Sequence, residues 1–193
     1  VLRPIVVANN RDHTFNRDLY KEFGGLGLLG STIKKYGGAG ASSTAYGLIA
    51  YEIEKIDSSY RSSISVQSSL VIHPIDSFGN DEQKERYLPD LISGIKIGCF
   101  GLTESEAGSD PSSMKTSYKK TKDGYILNGS KNWITNAPIA DIFIIWAIEE
   151  NKDHKSIKGF IIEKNTEGLN TSLIENKTSL KISPTGQIIL NNV

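Results

Sequence analysis

The chain has 193 residues, of which 22 are Lys or Arg and 22 are Asp or Glu, so its formal net charge is zero. This balance excludes the strong positive field that favours nucleic acid or an anionic membrane surface, and no apolar run approaches the ~20 residues that span a bilayer. The length allows a substantial buried core, and the single cysteine excludes an internal disulfide.

The first half of the chain is predicted to be helical. From Ser43 onward, apolar side chains recur at the i, i+3, i+4, i+7 spacing of one helix face, with Ser42 or Ser43 as the N-cap. The residues of this face are Tyr46, Ile49, Ala50, Ile53 and Ile56.

A second helix is predicted to begin near Asn80. Asn80 and Gln83 have the spacing of a capping box, and Gly94 provides a stop signal. Because proline lacks an N–H group, Pro89 is expected to make this helix irregular.

Beyond Gly94 the pattern becomes extended. The pairs Asp123-Gly124 and Asn128-Gly129 between apolar runs are typical of hairpin turns. The fold class is therefore α+β, with an N-terminal helical domain at residues 1–98 and an antiparallel β domain at residues 99–193. The predicted strands are 95–102, 115–121, 125–127, 132–135, 142–148, 158–163 and 187–190.

Two segments of the β domain have the composition of a binding site. Residues 100–111 begin as a strand and become a loop of small residues around Gly108, which suits either an ordinary turn or a backbone cradle for a cofactor. Trp133 and Thr135 stand two residues apart, so a regular strand would point both to one face. Trp133 fits either a core aromatic or the wall of a site for a planar ligand.

A third candidate site surrounds Arg61 in a serine-rich helical segment. If the helix is regular, Arg61, Ser65 and Ser68 or Ser69 form one polar stripe that could receive a carboxylate. The alternative is a structural helix whose arginine extends to solvent. The three histidines lack partners at metal-ligand spacing, so no metal site is predicted.

These motifs together resemble the acyl-CoA dehydrogenase family. The resemblance is carried by residues 100–104 (FGLTE), 107–110 (AGSD) and 127–136 (LNGSKNWITN), with a further similar stretch at 177–186. It extends over nearly the whole chain. Residues 60–70 and 99–104 are closer to the glutaryl-CoA dehydrogenase branch than to enzymes for plain fatty acyl chains.

The resemblance implies a non-covalent FAD cofactor and an acyl-CoA substrate. The cofactor-binding residues that it implies are Phe100, Gly101, Leu102, Thr103, Gly108, Ser109, Trp133, Ile134 and Thr135. The substrate-binding residues that it implies are Glu54, Arg61, Ser62, Ser65 and Ser109.

The implied reaction is dehydrogenation of glutaryl-CoA with decarboxylation to crotonyl-CoA, and an electron-transferring flavoprotein reoxidises the cofactor. The family's glutamate base lies in a C-terminal helical domain, which this chain is expected to lack. A homotetramer is expected for the full-length protein, in bacterial cytoplasm or mitochondrial matrix. The alternatives are a short- or branched-chain acyl-CoA dehydrogenase, an acyl-CoA oxidase, and a non-catalytic thioester- or flavin-binding module.

Overall fold

The computed structural model describes residues 1–193, and helices fill the first half of the chain. None of them is long and apolar enough to cross a membrane. The helices are α1 (Val6–Asp12), α2 (Leu19–Gly25), α3 (Ser43–Glu54), α4 (Ser58–Ser65), a π-helix (Val66–Ile72), α5 (His73–Phe78) and α6 (Asp81–Ile92).

Both predicted N-caps are confirmed. The Ser42 hydroxyl accepts a hydrogen bond from the Ala45 N–H at 3.1 Å, and the predicted apolar face of α3 is half-buried. At α6, Asn80 and Gln83 form the reciprocal capping box. The predicted irregularity is wrong, because α6 continues through Pro89 without interruption.

The second half forms one seven-stranded sheet. Strand β4 lies at its centre, since β1 and β2 pair in parallel with successive parts of β4 and β5 pairs antiparallel with it. The order along the main path is β1-β4-β2-β3-β7-β6. The strands are β1 (Gly98–Gly101), β2 (Ser117–Lys120), β3 (Tyr125–Thr135), β4 (Ile142–Glu149), β5 (Lys158–Glu163), β6 (Leu169–Leu173) and β7 (Thr185–Leu190).

The helical-then-sheet order is confirmed, but the prediction of an antiparallel domain is wrong, because the sheet is mixed. Turn signals reveal only neighbouring antiparallel strands, such as β2 and β3 around Asp123-Gly124. The parallel partners β1 and β4 are separated in sequence by β2 and β3, so no local pattern records their pairing.

The hairpin predicted at Asn128-Gly129 is also wrong, because both residues lie inside β3. A Cβ atom at Gly129 would lie 2.6 Å from the Thr116 Cα atom, and the backbone φ of Gly129 is +144°. Glycine is required there by close approach of two backbones. Strand β6 was not predicted, since its sequence LNTSL is largely exposed and carries no apolar alternation.

The core has two parts separated by β4. Ile142 and Ile144 belong to the cluster formed with the helices, whereas Phe143, Ile145 and Ala147 belong to the cluster inside the β region. Successive side chains of a strand point to opposite faces, so β4 is covered on both sides. This double burial explains the unbroken apolar run from residue 142 to residue 148.

Candidate functional site

The loop after β1 is open at its tip. Ser105, Gly108 and Ser109 are exposed, while Leu102 and Thr103 are half-buried and Gly101 and Ala107 are buried. Two backbone hydrogen bonds between Glu104 and Ala107, of 3.0 and 3.3 Å, close the turn. The N–H groups of Thr103, Ser105 and Gly108 donate to no acceptor in the chain. They are available to a ligand with hydrogen-bond acceptors.

Strand β3 carries a bulge beside its end. The register with β7 shifts between Lys131 and Ile134, and Trp133 has a φ of +61°. Ile134 points into the core, whereas Trp133 is 60% exposed and Thr135 is half-buried. A tryptophan in left-handed backbone conformation is uncommon, and β-bulges re-aim side chains. The bulge presents the indole to the surface, so Trp133 is no core aromatic.

The structure brings these two segments together. The Asn132 N–H donates to the Thr103 carbonyl at 2.9 Å, and the Lys131 ammonium donates to the Leu102 carbonyl at 3.1 Å. The open loop therefore leaves the sheet directly beside the bulge. Thr103, whose N–H is free, is thereby joined to the residue before the exposed Trp133, and free donors near an exposed planar side chain suit a planar polar ligand.

A buried ion pair at this edge was not predicted. Lys131 donates to Glu104 at 2.8 Å, and the side-chain exposures are 0% for Lys131 and 7% for Glu104. Glu104 also accepts from the N–H groups of Lys115 at 2.6 Å and Thr116 at 2.9 Å. One sequence signal was present. Lys131 is four residues after the buried Leu127, so in a strand whose side chains alternate it points to the same buried face. A lysine at an inward position indicates a buried anionic partner.

The pKa values of this pair follow from its burial and hydrogen bonds. Burial alone raises the pKa of Glu104, but the donors Lys131, Thr116 and Lys115 together outweigh it and hold the pKa below its ordinary value. Burial lowers the pKa of Lys131, against the opposing effect of Glu104. The buried carboxylate remains ionised at neutral pH.

We expect this carboxylate to contribute to acid sensitivity. Because folding depresses the pKa of Glu104, its contribution to stability is present above the unfolded value and is lost as the pH falls through the folded value. The free energy of unfolding should therefore fall less steeply between about pH 5 and pH 3 in Glu104→Gln than in wild type. Denaturant titrations across that range measure this. Glu106→Gln, at an exposed neighbour, should follow wild type, and identical slopes in all three proteins would contradict the prediction.

The Arg61 cluster consists of Glu54 at the end of α3 and Arg61, Ser62 and Ser65 on α4. Arg61 Nε donates to Glu54 at 2.6 Å, and its two terminal amino groups make no hydrogen bond in the chain. Hydrogen bonds from Ser58 and then Arg61 lower the pKa of Glu54. The half-buried hydroxyls of Ser62 and Ser65 have no partner in the chain. This arrangement leaves donors available to a further acceptor.

The predicted polar stripe is shorter than expected. The chain becomes a π-helix at Val66, so the regular spacing after Ser65 is lost. The Ser68 hydroxyl accepts from the Gly30 N–H at 3.1 Å, and the Ser69 hydroxyl pairs with Tyr46 at 2.7 Å. Both serines are thus occupied within the helical region. The Arg61 cluster also shares no hydrogen bond with the loop and bulge at the end of β3.

The fold defines an α+β protein whose helical half packs against a mixed sheet. Two domain models of one family match it: the acyl-CoA dehydrogenase N-terminal domain over residues 1–95 and the acyl-CoA dehydrogenase middle domain over residues 99–193. The chain belongs to the acyl-CoA dehydrogenase family.

Similar proteins include an acyl-CoA dehydrogenase of Bacillus subtilis (strain 168), which is 39% identical over 193 residues, or 99% of this chain and 51% of that protein. The crystal structure of a glutaryl-CoA dehydrogenase from Mycobacterium smegmatis in complex with FADH2 is 42% identical, with a TM-score of 0.95, over 100% of this chain and 49% of that one. The structure of butyryl-CoA dehydrogenase from Megasphaera elsdenii is 36% identical, with a TM-score of 0.91, over 100% of this chain and 52% of that one. The chain spans about half the length of these relatives.

Proposed function

We propose that the full-length protein is an FAD-dependent acyl-CoA dehydrogenase that acts on glutaryl-CoA and releases carbon dioxide to form crotonyl-CoA. The observation that carries the flavin part is the junction of the open loop with the bulged strand, where Asn132 donates to the Thr103 carbonyl at 2.9 Å. In the division that we propose, residues 1–98 form the helical domain and residues 99–193 the flavin-contacting domain.

The residues at this junction fit an isoalloxazine ring. The free N–H groups of Thr103, Ser105 and Gly108 suit its polar edge, and a Cβ atom at Gly108 would meet no atom within 4 Å, so the tip is accessible. We assign flavin contacts to Phe100–Thr103, Gly108, Ser109 and Trp133–Thr135. FAD, when bound, accepts the hydride that the reaction removes from the acyl chain. Preorganised N–H and O–H donors favour the negative charge that accompanies reduction.

The Arg61 cluster supports the proposed substrate. Glu54 engages only Nε of Arg61, so both terminal amino groups remain able to grip a carboxylate through two donors. The free hydroxyls of Ser62 and Ser65 can satisfy its remaining lone pairs. We assign Glu54, Arg61, Ser62 and Ser65 to the distal end of the acyl chain, and Ser109 to the substrate edge of the flavin loop. The base that removes the α-proton is assigned to a glutamate outside these 193 residues.

A short- or branched-chain acyl-CoA dehydrogenase is the second candidate, and one observation favours it. Arg61 already has an anionic partner in Glu54, so an uncharged acyl tail beside it would not leave the guanidinium unpaired. Initial rates with glutaryl-, butyryl- and isovaleryl-CoA, together with release of carbon dioxide, distinguish the candidates. In either case we propose an electron-transferring flavoprotein as the electron acceptor, a homotetrameric assembly, and a location in bacterial cytoplasm or mitochondrial matrix.

The cofactor assignment predicts that the purified full-length protein is yellow and that Thr135→Val lowers its flavin reduction potential. Valine nearly keeps the shape of threonine but removes the hydroxyl donor, which is worth about 0.5–1.5 kcal/mol, or about 10–30 mV for a two-electron couple. Spectroelectrochemical titration measures the shift. Thr171→Val, on the exposed face of β6, is the matched control and should leave the potential unchanged. A colourless protein that binds no added FAD would contradict the cofactor assignment.

A further inference from the structure

The Glu104–Lys131 pair differs from every other ion pair in the protein by its burial. The side chains of Glu104 and Lys131 are 7% and 0% exposed, whereas those of the exposed Arg86–Glu163 pair between α6 and β5 are 58% and 45% exposed. Removing two charges from water is costly, and a buried pair is often no more stabilising than apolar residues of the same volume. Global stability is therefore a weak reason for this pair to exist.

The contacts of the pair point to a local geometrical role. Lys131 holds the start of the loop through the Leu102 carbonyl at 3.1 Å, and Glu104 holds its end through the N–H groups of Lys115 and Thr116. Both stems of the segment from residue 102 to residue 116 are thereby attached to β3, two residues before Trp133. The exposed tip with its free N–H groups lies between these attachments.

We propose that Glu104 and Lys131 are positioning residues that preorganise this loop for the flavin. The proposal rests on the flavin assignment made above and adds residues that do not themselves contact the cofactor. The ion pair fixes both stems before FAD arrives, so the free N–H groups of Thr103, Ser105 and Gly108 face the cofactor without a further ordering cost.

Amide hydrogen exchange on the wild-type full-length protein gives the first test. The Lys115 and Thr116 amides should already be protected in the FAD-free protein, because the buried Glu104 carboxylate holds them. The Thr103, Ser105 and Gly108 amides should gain protection only when FAD is added. If the Lys115 and Thr116 amides exchange freely until FAD binds, the loop is not preorganised and the proposal is overturned.

The second test compares Glu104→Gln with the double variant Glu104→Gln/Lys131→Met. The single change leaves a buried ammonium without its anion, whereas the double change removes both charges and nearly keeps the volume. The double variant should therefore melt at a higher temperature than the single variant, yet bind FAD at least about tenfold more weakly than wild type, as expected for loss of one charge-assisted hydrogen bond. Its Lys115 and Thr116 amides should also exchange faster, while the amides of α6 keep wild-type protection.

Arg86→Met/Glu163→Gln is the matched control, because it removes an exposed ion pair and should change neither FAD affinity nor loop exchange. A double variant of the buried pair with wild-type FAD affinity and wild-type loop exchange would show that the pair is only structural. If neither variant of the buried pair folds, amide hydrogen exchange on the wild-type protein decides whether the loop is preorganised. A folded wild-type protein that binds no FAD would instead contradict the proposed function, which separates the two failures.

Discussion

Replacing Arg61 by alanine should lower kcat/KM for glutaryl-CoA about tenfold to a hundredfold in the full-length protein. A charge-assisted hydrogen bond contributes roughly 1.5–3 kcal/mol, and each 1.4 kcal/mol corresponds to a factor of ten. The effect on butyryl-CoA should be much smaller, since its tail has no carboxylate to accept from the free amino groups of Arg61. The decisive quantity is the ratio of the two kcat/KM values in wild type and variant.

Two further variants sharpen this result. Arg86→Ala removes an exposed arginine that is also paired with a glutamate, and it should leave the ratio unchanged. Glu54→Gln keeps an acceptor for Arg61 Nε but removes the competing negative charge, so glutaryl-CoA should retain its preference over butyryl-CoA. An unchanged ratio in Arg61→Ala would make Arg61 a structural helix residue and remove the main support for a dicarboxylic substrate.

Local signals in the sequence predicted much of the helical half. The capping box of Asn80 and Gln83 and the N-cap at Ser42 each involve residues three apart, and the structure confirms them. The turn at Asp123-Gly124 is equally local, with the Thr121 N–H bonded to the Gly124 carbonyl at 2.9 Å. Such features are predictable because one short segment contains both partners of the interaction.

Features that depend on distant segments were missed or misjudged. Asn128-Gly129 has the composition of a hairpin turn, but the close approach of Thr116 gives Gly129 its role inside β3. The Glu104–Lys131 pair joins residues 27 apart in sequence, and its only sequence signal was that Lys131 occupies an inward-facing position of its strand. The open loop and the Trp133 segment were both identified, but their junction is the hydrogen bond between Asn132 and the Thr103 carbonyl, two residues far apart in sequence, so no local pattern encodes it.

The π-helix is a further feature without a sequence signal, and it places a fully buried glutamine between the two halves. Gln67 donates to the carbonyls of Leu91 and Lys96, both at 2.9 Å, and accepts from the Gly98 N–H at 2.7 Å. One side chain therefore connects the π-helix, the end of α6 and the first residue of β1. Gln67 fixes the strand from which the proposed flavin loop departs.

Gln67→Leu should consequently destabilise the protein by about 2–6 kcal/mol, because the Gly98 N–H and the Lys96 carbonyl lose their partner and each costs about 1–3 kcal/mol. The Leu91 carbonyl still accepts from the Gly94 N–H at 3.3 Å. Leucine nearly conserves the volume, so the loss reports the hydrogen bonds and little of a cavity. Denaturant unfolding measures it. Gln83→Leu, the same substitution at the exposed capping box of α6, should cost about 1 kcal/mol. If the two variants lose similar amounts, Gln67 does not connect the helices to the sheet as the geometry implies.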